Sequence, residues 1–78
     1  MTTPAQIRAG RAIVGLSQAD LAVKANVSVS TLKRAEGTIQ PIAASESIAA
    51  IRAALETAGV EFIAENGGGA GVRLSKGK

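Results

Sequence analysis

The chain has 78 residues with no Cys, His, Trp or Tyr, which excludes disulfide scaffolds, zinc clusters, thiol nucleophiles and Ser-His-Asp triads and leaves one domain near the lower size limit for an unaided core. The net charge of +3 is unevenly spread: residues 1–34 set Arg8, Arg11, Lys24, Lys33 and Arg34 against Asp20, while residues 35–66 set Arg52 against Glu36, Glu46, Glu56, Glu61 and Glu65. A basic first half beside an acidic second half suits a protein that offers one face to a polyanion; the plainer reading is that the charges only solvate helix faces.

In chain order, Thr3-Pro4-Ala5-Gln6 announces a helix, with a hydroxyl cap, Pro at the first helical position and Gln6 closing a capping box. Ile7, Arg11 and Val14 lie on one stripe, and Gly15 ends a helix expected from Pro4 to Val14. Ser17 caps a second helix to about Ala25, with Asp20 at its positive end, and Asn26 tolerates the left-handed backbone of a sharp turn. Ser28 caps a third helix from Val29 to Glu36, closed by Gly37. After a loop containing Pro41, Ser45 or a neighbour is expected to cap a fourth helix. Its apolar stripe is Ile48, Ile51, Ala54 or Leu55, and Ala58, and Gly59 ends it.

The remainder changes character. Val60-Glu61-Phe62-Ile63 alternates and is β-prone, Asn66–Gly71 is a Gly-rich turn, and Val72-Arg73-Leu74 is a second short β-prone piece. Strands this short need another sheet, a helix or a second chain to lie on. Residues 75–78 are expected to be a disordered tail. No apolar run approaches the roughly 20 residues of a membrane span, and no secretory pattern opens the chain. The expectation is a cytoplasmic protein with no membrane partner.

The string SQADLAVKANVSVSTLKRAEG, residues 17–37, resembles the helix-turn-helix of the Cro/CI-like (XRE-type) bacterial and phage regulators, and Ile7-Arg8, Arg11 and Gly15-Leu16-Ser17-Gln18 resemble that family's first helix and junction. The resemblance covers residues 6–58. Leu21, Val27 and Leu32 would fill the angle between two crossing helices, Ala22 would be small because the second comes close, and Asn26 stands where the family usually has Gly. The implied class is all-α, a compact four-helix lambda-repressor-like domain over residues 1–59, with residues 60–74 as a β-prone appendage. It implies an Arg of the first helix, Arg11, paired with Glu36.

The same resemblance implies a homodimeric transcription regulator on an inverted-repeat operator in double-stranded DNA, including one that controls its own promoter, with the transcription machinery as a further protein partner. With Leu32 and Ala35 facing the core, helical geometry turns Val29, Ser30, Lys33 and Arg34 toward the groove. Arg34 suits guanine, Ser30 a base edge, Val29 a thymine methyl and Lys33 a phosphate or groove edge. Gln18 resembles the family's phosphate-binding Gln, and Ser28 and Thr31 are divided between capping and contact. Val60, Phe62, Ile63, Val72 and Leu74 are expected at a dimer interface, with an intramolecular cap on the core as the alternative for Phe62. The alternative function is a protein-interaction module, an antitoxin or antiactivator using the acidic stretch 56–65 and the β-prone segment 60–74. No cofactor, metal or catalytic residue is expected, because nothing pairs a nucleophile with a base and the Gly67–Gly69 run follows no phosphate-loop pattern.

Overall fold

The structure, a computed structural model, describes residues 2–75. Four helices, α1 (Pro4–Val14), α2 (Gln18–Ala25), α3 (Val29–Ala35) and α4 (Ser45–Thr57), precede two strands, β1 (Val60–Ile63) and β2 (Gly71–Leu74). Among the described residues up to 59 the regular elements are all helices, but the strands pair antiparallel, Val60 opposite Leu74 and Ile63 opposite Gly71. The described chain is therefore helix-rich with a two-stranded sheet rather than all-α. Of the expected tail, Ser75 is placed, its N–H donating to the Gly59 carbonyl at 2.7 Å beside the start of β1, and residues 76–78 lie outside the described residues.

Local chemistry explains the helix boundaries. The Thr3 hydroxyl accepts from the Gln6 amide at 3.1 Å while Gln6 Oε1 accepts from the Thr3 amide at 2.9 Å, completing the capping box. Gly15 closes α1 in the left-handed region (φ 73°), where a side chain would be strained. α3 stops at Ala35, with Glu36 as its cap and Gly37 at φ 79°. The expected side-chain cap on α4 is absent: Ser45 is the first helical residue, and the capping position falls to Ala44, whose carbonyl accepts from Ser47 and Ile48. The core decides that phase, because Ile51 and Leu55 are fully buried and Ile48 packs beside them. Both Ala54 and Leu55 face the core, whereas Ala58, expected on the same stripe, is exposed.

Ile7, Leu21, Leu32, Ile51 and Leu55 form the centre of the core, each at 0% exposure. Burying each such side chain contributes roughly 1.5–3 kcal/mol, which is substantial for a domain this small. α2 packs on α3 and α4, while β2 lies along α1 and β1 along α4. Gly10 permits that approach, because a Cβ there would stand 3.3 Å from Val60 Cγ1. The two strands, too short to persist alone, thus lie on helices of their own chain.

The fastening between α1 and the hairpin is polar. Gln6 is 5% exposed, and its Nε2 donates to the carbonyls of both Ile63 (3.1 Å) and Gly71 (3.0 Å). Both amide hydrogens are thereby used, so a buried group that is costly to leave unpaired is satisfied. The same side chain ends the capping box, which joins the start of α1 to the loop end of the hairpin. On the outer sheet face, Arg73 donates to both Glu61 carboxylate oxygens, at 2.9 and 3.2 Å.

Candidate nucleic-acid interface

Residues 17–37 fold as two short helices around a tight corner. Ser17 Oγ accepts from the Asp20 amide at 3.0 Å, and Asn26 takes the left-handed conformation (φ 58°, ψ 44°) that ends α2. Val27 N–H then donates to the Ala22 carbonyl at 3.0 Å, and Ser28 starts α3. Leu21, Ala22, Ala25, Leu32 and Ala35 are buried inside the corner, with Val27 partly buried against them. Three residues, Asn26 to Ser28, therefore separate the two helices, and packing fixes their crossing.

Glu36 locks this corner to α1. Its carboxylate is 1% exposed and accepts from Arg11 Nε at 2.7 Å and Nη2 at 3.4 Å, and from Gln18 Nε2 at 2.9 Å. Arg11 Nη1 reaches the Leu16 carbonyl at 3.2 Å, and Arg8 donates to the Glu36 carbonyl. A carboxylate in such a position is tolerated only with several charge-assisted donors. One residue thus ties α1, the start of α2 and the end of α3 together. The Arg11–Glu36 pair implied by the resemblance is present. Sequence reasoning missed the Gln18 bond to Glu36 and the Arg8 bond to its carbonyl, since neither a polar residue after a cap nor an Arg on a helix announces its partner.

The sequence-derived contact residues then fall into two groups. Ser28 is occupied, accepting from the Thr31 amide at 3.0 Å and donating to Thr31 Oγ1 at 2.9 Å; Thr31 keeps its own hydroxyl hydrogen for another acceptor. Gln18 keeps one amide hydrogen beyond the one given to Glu36. Val29 (38% exposed) and Ser30 are on the open face of α3, and Lys33 and Arg34 are half-buried beside them. Arg34 Nε is shielded from solvent and has no hydrogen-bond partner among the described residues.

The remaining cations are distributed in a telling way. Arg11, Arg52 and Arg73 pair with Glu36, Glu56 and Glu61 respectively, and Arg52 also donates to Thr2 and lies 4.7 Å from the Phe62 ring centre. Arg8 is held on a backbone carbonyl. Among the described residues, the basic side chains with neither an ion pair nor a hydrogen bond are Lys24, Lys33 and Arg34, all on α2 and α3. Asp20 is the one acidic residue on these helices, at the positive end of α2.

The residues expected at a dimer interface are dispersed. Val60 is 2% exposed within its own chain's core, and Phe62 and Val72 pack against that core. Ile63 is half-buried, and Leu74 at 55% is the one that remains largely open. Among the described residues no helix is long and apolar enough to cross a membrane. No protein-family model matches this chain, and no curated protein matches it.

Proposed function

We propose that this chain is a sequence-specific DNA-binding transcription regulator that acts as a homodimer on an inverted-repeat operator, with residues 17–37 as its helix-turn-helix. The observation that carries the reading is that, among the described residues, the basic side chains without an ion pair or hydrogen bond all lie on the helix pair, Lys33 and Arg34 on α3 and Lys24 on α2 at its groove with α4, while Arg11, Arg52 and Arg73 are neutralised by carboxylates. A polyanion laid across the helix pair would meet free positive charge there.

α3 enters the major groove, Arg34 directs its two-pronged guanidinium to guanine, Ser30 meets a base edge and Val29 packs on a thymine methyl. Lys33 reaches a phosphate. Gln18, oriented by Glu36, directs its remaining N–H to a second phosphate, helped by the backbone N–H groups of Gln18 and Ala19 that the helix leaves unpaired. Thr31 adds a hydroxyl, and Ser28 serves mainly as the cap that orients α3. Two such domains on an inverted repeat place their recognition helices about 34 Å apart, one helical turn of DNA. Such a regulator suits control of its own promoter.

The alternative, a module that masks a protein partner through residues 56–65 and the β-prone segment 60–74, draws less support. Glu56 and Glu61 are paired with Arg52 and Arg73, and the hairpin lies on its own α1 and α4. A salt titration of binding to random duplex DNA separates the two readings. On random duplex, where Arg34 has no cognate guanine and joins Lys33 on the phosphates, two cations per chain, four per dimer, give a slope of about −4 in log affinity against log salt. A slope near zero, or no binding at low salt, overturns the DNA reading.

A further inference from the structure

Immediately after α3, residues Thr38 to Ser45 carry no charged side chain in a chain of net charge +3. Ile39 (38% exposed) and Ile42 (66% exposed) project from this run. Beside them lies an apolar groove of about 360 Å³ between the start of α1, the end of α3 and the start of α4, lined by Thr3, Pro4, Ala35, Ile42, Ala43 and Ile48. A projecting aliphatic side chain and a groove able to receive one therefore occupy the same patch.

We infer that this patch is the surface on which a second copy of the chain docks, with Ile42 of each copy seated in the groove of the other. A knob and a hole on one patch are self-complementary, so a two-fold axis satisfies both at once, as an isologous contact requires. The charge balance matters as much: residues 38–45 are uncharged, and Arg52, which donates to Thr2 on the groove wall, is paired with Glu56, so two copies of a net-positive protein meet here with little Coulomb penalty. The hairpin is the weaker candidate, because Val60, Phe62 and Val72 are spent on the chain's own core and Leu74 alone is largely open.

Position favours the same occupant. Ala35, the last residue of α3, forms part of the groove wall, so docking here turns the C-terminal end of α3 in each copy toward the two-fold axis. The patch is small against the ~800 Å² per partner of a standard interface. The free dimer is accordingly expected to be weak, dissociating in the micromolar range, and to tighten on DNA.

The inference rests on the homodimer reading above, and its test omits DNA so that the two fail separately. Sedimentation equilibrium across a wide concentration range is run on the full chain, on Ile42→Glu and on Leu74→Glu, with circular dichroism to verify helix content; both residues are exposed enough to be replaced without disturbing the core. The expected result is a reversible dimer whose dissociation constant rises at least about a hundredfold in Ile42→Glu, through loss of a central apolar anchor, and stays within about twofold in Leu74→Glu, as for a residue outside the contact. A wild-type chain that stays monomeric, an Ile42→Glu protein that dimerises as well as wild type, or a Leu74→Glu protein that dissociates equally would each overturn it. A dimer lost in Ile42→Glu in a protein without salt-dependent DNA binding would keep this interface and refute the DNA reading.

Discussion

Arg11 on α1 and Glu36 at the end of α3 stand 25 positions apart in the chain and meet at 2.7 Å, with the carboxylate 1% exposed and the guanidinium side chain 24% exposed. The inequality in burial makes the two partners unequal in what their loss does. Without Arg11, a charge remains deep in the fold with the Gln18 amide as its remaining side-chain donor; without Glu36, the cation can turn to water.

Arg11→Ala is therefore expected to destabilise the protein by about 3–5 kcal/mol, the usual consequence of stranding a buried charge. Adding Glu36→Gln removes the stranded charge and should recover part of that loss. Urea denaturation of both single variants and the double variant measures the coupling. Purely additive effects would mean that the pair does not hold α1 to the helix corner.

The two-way amide of Gln6 makes a second prediction. Gln6→Glu keeps the oxygen that accepts from Thr3 but replaces the donor to Ile63 and Gly71 with a carboxylate oxygen facing two carbonyls. The loss of a buried donor and the added repulsion should destabilise by roughly 1–3 kcal/mol. Amide exchange should rise first in residues 71–74, while α2 and α3 stay protected. Uniform loss of protection would show that the hairpin does not open as a separate unit.

Glu61 supplies a pH-dependent element. The hydrogen bond from Arg73, and then its charge, hold the Glu61 carboxyl below its ordinary value of 4.5. A carboxyl lowered in the folded state contributes stability that is complete above pH 4.5 and fades as the pH falls through the lowered value. The pair is exposed, Arg73 at 64% and Glu61 at 48%, so water screens it and the effect on stability is small, but the titration itself is measurable. Carbon-detected NMR of Glu61 should give a midpoint below 4.5 in the wild type that moves back toward 4.5 in Arg73→Ala. An unchanged midpoint would show that the two side chains do not pair in solution.

Much of this fold is legible in the sequence because its signals are local. Thr3, Ser17 and Ser28 as caps, Gly15 and Asn26 as left-handed stops, and the three-and-four spacing of Ile48, Ile51 and Leu55 act within a turn or two of where they stand. The start of α4 is less legible, since Ala44 gives no capping signal and only burial of the stripe sets the phase. Long-range polar contacts are hidden in the same way. Nothing near Gln6 in the chain tells that its amide meets residues 63 and 71, and the alternation of Val60 and Phe62 says that one sheet face is covered without saying by what. For the candidate interface, helical periodicity placed Val29 and Ser30 on the open face, whereas the commitment of Gln18 to Glu36 appears only once α1, α2 and α3 are packed together.

Whether α3 reads bases while the start of α2 holds the backbone is decided by equilibrium binding of Arg34→Ala and Gln18→Ala to a selected operator and to random duplex. Arg34→Ala should weaken operator binding by about 1–3 kcal/mol and relax the preference at one base position, with a smaller loss on random DNA. Gln18→Ala should weaken both by similar factors, as expected for a residue that touches phosphate. If both variants lower operator and random binding equally, α3 is not the reading element and the account is contradicted.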